Sequence, residues 1–134
     1  PVPRFVSLKF NKVNLRSGPG GEYPVLWQYR QIGLPLLVDA EFGVWRKVRD
    51  ADGTTGWMHS AGLSRRRMAF IHKSMTKIYK RSNKQSDVVA VAEKHALLKL
   101  ESCPKNWCRV AAENVKGWVQ RASVWGVLDD ENLN

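Results

Sequence analysis

Two cysteines and three histidines are the residues of this 134-residue sequence with the widest chemical repertoire. The cysteines stand in Cys103-Pro104-Lys105-Asn106-Trp107-Cys108, around a turn, so their Cα atoms can face each other across adjoining strands within disulfide range. Closing so short a loop stabilises a fold by roughly 2 kcal/mol on the chain-entropy model. Such a bond belongs to an oxidising compartment. The alternative for these thiols is a metal, but zinc asks for about four ligands. His59, His72 and His95 are scattered and share no ligand spacing with the cysteine pair, so no metal site is expected. A Cys nucleophile with a His base meets only in space and is not excluded by spacing, yet a thiol beside a second cysteine in a hairpin reads as structural. Ser17-Gly18-Pro19-Gly20-Gly21 precedes no helix and is turn chemistry rather than a phosphate loop. No pair of carboxylates identifies itself. The chain is read as a non-enzyme, with no catalytic residue and no cofactor.

Binding is left, and the aromatic residues carry it. Val44 to Arg49 leads through Asp50-Ala51-Asp52-Gly53-Thr54-Thr55 into Gly56-Trp57-Met58. Trp107 to Ala112 leads through Glu113-Asn114-Val115-Lys116 into Gly117-Trp118-Val119. Each is a strand, a turn and a Gly-Trp strand. Side chains three apart on a strand face opposite sides, so if Val48 fills a core, Trp45 points away from it, toward the loop of residues 17–24. The same holds for Val110 and Trp107. An outward Trp beside a Gly/Pro loop carrying Tyr23 can floor a shallow groove, because aromatic rings give contact area at low entropic cost. It can equally cap the open end of a barrel, its indole N–H tied to a loop carbonyl.

The elements that must hold these hairpins come twice. Sliding the chain by 65 residues lays Lys12-Val13-Asn14-Leu15-Arg16-Ser17 on Lys77-Ile78-Tyr79-Lys80-Arg81-Ser82 and Glu22 on Asp87; a few deleted residues later, Trp45 falls on Trp107 and Trp57 on Trp118. A repeat of this kind decides the domain count. Strands of four to six residues recur with turn signals between them and no sustained helical period, the pattern of small antiparallel barrels. Phe5, Val6, Leu8 and Phe10 lead in, Lys12 to Arg16 and Val25 to Tyr29 are strands, and Leu36 starts a third. Ser60 to Leu63 suits one helical turn. Phe70, Ile71, Ile78 and Tyr79, then Val88 to Ala92 and Leu97 to Leu100, repeat the series. The expected fold class is all-β: two small antiparallel barrels, residues 1–64 and 65–134, packed against each other. Ser64-Arg65-Arg66-Arg67-Met68 joins them and reaches at most about 17 Å. The Arg triplet reads as a solvated junction or an anionic contact point, and Asp129 to Asn134 as a frayed acidic end.

Net charge is +10, with +6 in residues 1–67 and +4 in residues 68–134. A spread-out basic excess suits anionic partners, including nucleic acid, and also plain solubility. No apolar run approaches the ~18–20 residues of a membrane-spanning helix. The chain starts Pro1-Val2-Pro3 without Met and reads as a fragment or processed product, so a missing leader says nothing about export.

In order and spacing, Val13-Asn14-Leu15-Arg16-Ser17-Gly18-Pro19, Tyr23-Pro24-Val25, Trp45-Arg46-Lys47-Val48 and Gly56-Trp57-Met58-His59-Ser60 resemble the bacterial SH3 (SH3b) domain. Trp107-Cys108-Arg109-Val110, Gly117-Trp118-Val119 and Val124-Trp125-Gly126-Val127 resemble the tandem SH3-like proteins of the alphaproteobacterial cell envelope. The resemblance implies SH3-like barrels, non-catalytic, periplasmic or secreted, that bind peptidoglycan or an envelope protein. The Pro and Tyr that line the proline-reading groove of eukaryotic SH3 domains are replaced here by His59 and Gly62, then by Gln120 and Ser123, which speaks against proline-rich ligands. The candidate ligand-binding residues are Arg16, Tyr23, Trp45, Trp57 and His59, with Arg81, Trp107 and Trp118 as weaker counterparts in the second repeat. Three functions follow from these features: an envelope module recognising a peptidoglycan stem peptide or a protein, a basic nucleic-acid binder, and a structural or homodimer-forming domain.

Overall fold

The computed structural model describes residues 1–134. The chain forms two compact units, Pro1–Arg66 and Arg67–Asn134. In the first, the strands are β1 (Arg4–Leu8), β2 (Val13–Arg16), β3 (Val25–Tyr29), β4 (Pro35–Phe42), β5 (Trp45–Arg49), β6 (Thr55–His59) and β7 (Leu63–Ser64). They make one antiparallel sheet in the order β3-β2-β6-β5-β4-β1-β7. The second unit repeats it with β8 (Met68–Ile71), β9 (Thr76–Tyr79), β10 (Val88–Ala92), β11 (Leu97–Ser102), β12 (Trp107–Ala112), β13 (Val115–Gln120) and β14 (Val124–Trp125), in the equivalent order β10-β9-β13-β12-β11-β8-β14. Each is an SH3-like barrel in an all-β chain.

Period-two alternation builds the cores. On β2, Val13 and Leu15 are buried while Asn14 and Arg16 face outward; on β6, Gly56 and Met58 are buried between outward Thr55, Trp57 and His59. Leu8, Leu15, Leu36, Val38, Val48 and Met58 close the first core at 1% exposure or less. The second holds Ile71, Ile78, Leu98, Leu100, Val110 and Val119, together with the disulfide Cys103–Cys108, whose Cα atoms lie 4.0 Å apart.

Four expectations change. The third strand runs on to Phe42, because a two-residue turn with Gly43 at φ 57° folds β4 directly onto β5. The C-terminal end is folded back rather than frayed. Cys103 N–H donates to the Leu133 carbonyl at 2.7 Å, and Glu131 takes a bidentate pair from the Arg67 guanidinium. Arg67 also donates to the Gly126 carbonyl, so this member of the Arg triplet is a structural contact and not a solvated junction residue. The single helical turn occurs at Ser60–Gly62 as the sequence predicts, and a second, unanticipated one occurs at Arg121–Ser123.

The fourth concerns the repeat. Hydrogen bonding aligns β2 with β9 at an offset of 63 residues and not 65. Arg16 pairs with Trp57 and Val25 as Tyr79 pairs with Trp118 and Val88. Ser17 N–H donates to the Pro24 carbonyl as Lys80 N–H does to that of Asp87. The string Lys-x-x-x-Arg-Ser that suggested 65 is a surface coincidence, whereas Leu15 and Ile78, beneath Gly56 and Gly117, mark the true register.

Candidate functional site

A cleft of about 420 Å³ opens on the first barrel where the loop of residues 17–24, the β1–β2 connection and the Ser60–Gly62 turn converge. Trp45, first residue of β5, is set there by the Gly43-Val44 turn. Arg46 fixes that turn, its guanidinium donating to the Gly43 carbonyl at 2.7 Å and to the Trp45 carbonyl at 3.1 Å. Glu41 stands beside Arg46, with Nε to Oε1 at 3.5 Å, and beside Arg4, whose hydrogen bond holds the Glu41 carboxyl below the usual range. Val48 is buried at 1% exposure, and Trp45, three residues earlier, is half-buried on the opposite face.

Trp45 and His59 are direct cross-strand partners, and such pairs share one face of the sheet. Their rings meet edge to face, centroids 5.4 Å apart at 70°. His59 caps the following turn. Its Nδ1 accepts from the Ala61 N–H at 3.0 Å, so in the neutral ring the proton sits on Nε2, which is left as a donor. A Cβ at Gly62 would stand 2.8 Å from Val13 Cγ1, so a larger residue there requires Val13 to shift. Phe10 and Lys12 come from the β1–β2 connection, and Asn14 and Arg16 from the outward face of β2. Phe10 is 51% exposed, with the Lys9 ammonium 5.8 Å from its ring centre. Arg16 donates to the Tyr23 carbonyl at 2.9 Å, which ties the cleft's cation to its loop. The lining contains no carboxylate. Chemically it offers two aromatic surfaces bordered by hydrogen-bond donors, an arrangement for accepting carbonyl and carboxylate oxygens beside apolar groups.

Of the five candidates in the first repeat, Arg16, Trp45 and His59 come together here. Tyr23 and Trp57 lie outside the lining. The Tyr23 ring rests over Gly18, where an added Cβ would be 2.5 Å from it. Trp57 is half-buried on the outer face between its partners Arg16 and Lys47. Sequence reasoning missed Phe10, grouped with the core residues Phe5, Val6 and Leu8. The available signal was its setting, Lys9-Phe10-Asn11-Lys12, an aromatic among polar residues after the strand has ended.

The second barrel has a cleft in the same place, smaller at about 230 Å³. Tyr79 stands where Arg16 stands in the first, and its ring packs edge-on against Trp107 with centroids 5.6 Å apart at 86°. Arg81, expected as the counterpart of Arg16, is an exposed turn residue at the position of Gly18 and lies outside this lining. Trp118 is covered by the Arg109 guanidinium, 5.9 Å from its ring centre.

The family model for the bacterial SH3 domain matches residues 9–65 and again residues 72–126. No curated protein matches the chain. The solved structures of NlpC2 and NlpC1 from Trichomonas vaginalis are similar over 92% of this chain, with 9% identity and TM-scores of 0.43 and 0.44. The chain spans 48% and 45% of the length of those two, about half of each.

Proposed function

Because the chain belongs to the bacterial SH3 domain family, we propose that it is a non-catalytic binding module of the cell envelope whose first barrel holds a peptidoglycan stem peptide in the Trp45–His59 cleft. The observation that carries this reading is the lining itself. Phe10 and Trp45 supply apolar area, while Arg16, Lys12 and His59 Nε2 supply donors with no carboxylate among them. A stem peptide presents the complement: short aliphatic side chains, closely spaced amide carbonyls and free carboxylates. Charge-assisted hydrogen bonds to those carboxylates are roughly twice as strong as neutral ones. Lys12, Arg16 and His59 would act on such a ligand as hydrogen-bond donors that orient it. The buried Cys103–Cys108 disulfide suits an oxidising compartment, the periplasm or the exterior.

The test is co-sedimentation with purified murein sacculi. The wild-type chain is retained, and Trp45→Ala loses at least about tenfold in affinity, as a central aromatic anchor does. No retention, or equal retention of Trp45→Ala, contradicts the proposal. The nucleic-acid reading motivated by the +10 charge predicts instead tight binding to DNA or RNA that falls steeply with salt.

A further inference from the structure

The two clefts occupy one place in the fold, and their linings differ position by position. At the 63-residue offset, Phe10 is replaced by Lys73, Asn11 by Ser74, Val13 by Thr76 and Asn14 by Lys77; His59 and Gly62 give way to Gln120 and Ser123. The apolar ring of the first cleft has become an ammonium group, while Lys12 gives way to Met75 and Arg16 to Tyr79, so each cleft carries two cations at different positions. No carboxylate lines the second cleft either.

The backbone differs in the same direction. Residues 73–76 form a turn with Met75 at φ 55°, a left-handed conformation on a non-glycine residue. Thr76 Oγ1 locks it by donating to the Lys73 carbonyl at 2.7 Å. Successive αR and αL residues bring N–H groups to one side, a concavity that receives anions, and Met75 supplies the αL member of such a pair. All four residues of this turn line the cleft, with Lys73 and Lys77 exposed at its two ends. Size sets a limit too. Pockets for drug-sized ligands span roughly 300–1,000 Å³, and this one, lined in part by Tyr79, holds about 230 Å³. The cleft is open to solvent, and its walled part matches a compact group.

We propose that the cleft of the second barrel binds a phosphate-type oxyanion, held between Lys73 and Lys77 over the turn of residues 73–76, with Gln120 and Ser123 as further donors. The site lacks the Phe10 and Trp45 surfaces of the first cleft and is independent of what that cleft binds. The two barrels then read two different groups, an apolar peptide surface and a compact anion.

The experiment is an amide chemical-shift titration of the full chain with inorganic phosphate, with glycerol 3-phosphate and with acetate, at matched ionic strength. Saturable shifts confined to residues 73–77, 79, 120 and 123 are expected with both phosphates, and acetate binds at least tenfold more weakly. Tighter binding of the glycerol ester identifies an esterified phosphate as the natural group; equal binding identifies the free anion. Lys73→Ala and Lys77→Ala each weaken phosphate binding about tenfold, while Lys116→Ala, outside the cleft, leaves it unchanged. Both lysines are exposed, so neither substitution disturbs the core. Shifts spread over the lysines of both barrels, equal shifts with acetate, or wild-type phosphate affinity in the two variants would each overturn the proposal.

Discussion

Gly56→Ala tests how the first barrel is closed beneath its cleft. The Gly56 backbone lies where β6 crosses β2, and an added Cβ would stand 2.6 Å from Leu15 Cγ and 2.9 Å from the Arg16 carbonyl oxygen. Its φ lies outside the left-handed region, so the objection to alanine is one of space. Leu15 is fully buried and the carbonyl belongs to the backbone, so neither can yield without moving β2. Overpacking of this kind costs about 1–3 kcal/mol, and replacing glycine recovers about 0.5–1 kcal/mol through the unfolded state. The net expectation is a loss of roughly 1–2 kcal/mol. In a unit of this size that lowers the midpoint by at least ~5 °C, and urea unfolding with linear extrapolation measures the same quantity. Because β2 carries Arg16, the amides of Arg16 and Trp57 should shift as well. Gly21→Ala is the control. Nothing lies within 4 Å of its built Cβ, so that variant should be neutral or stabilised by up to ~1 kcal/mol. If Gly56→Ala proved as stable as the wild type, or if the two glycines behaved alike, the close approach of β6 and β2 would not be what closes the barrel.

Three further outcomes follow from the contacts. Glu131→Gln should destabilise the second barrel by about 1–2 kcal/mol, between an exposed and a buried ion pair, and detach residues 128–134 first in hydrogen exchange. Its carboxyl is held below the usual range chiefly by the Arg67 hydrogen bond, so the contribution is present above about pH 4.5 and fades as pH falls through the folded value; acid unfolding of the wild type, but not of the variant, should show it. Tyr29 is buried and donates to Asp50 at 2.7 Å. Burial first, then that bond, pushes its pKa above the ordinary value, so its contribution holds below about pH 10 and is lost at higher pH, and Tyr29→Phe costs roughly 1 kcal/mol in urea unfolding at pH 7. Reducing the Cys103–Cys108 bond should lower the stability of the second barrel by about 2 kcal/mol and leave the first unchanged, as followed by residue-resolved exchange.

The fold was legible because alternation does most of the work. Val13 and Leu15, Val48, and Met58 sit in the core where their spacing places them, and the Gly-Trp strands recur where one strand passes closely over another. The disulfide was legible for a similar local reason, two cysteines around one turn. The cleft was legible in part. Trp45, His59 and Arg16 lie on strands, whose faces follow from spacing. Phe10 and Ala61 lie in a connection and a helical turn, where no periodicity says which way a side chain points. Tyr23 was misplaced because its ring folds onto Gly18, a choice made by loop packing. Arg67 and Glu131 are 64 residues apart, and only closure of the second barrel brings them together. The offset of the repeat went astray because charged surface residues matched by chance while the buried ones did not.

The central claim, that the first cleft is the binding surface for cell-wall peptide, is tested most directly by amide and indole shift mapping of the full chain against soluble muropeptides. Saturable shifts are expected at Phe10, Arg16, the Trp45 indole and His59, absent from Trp45→Ala and from the equivalent face of the second barrel. Muropeptide binding that shifts another surface, or that survives Trp45→Ala unchanged, would contradict it.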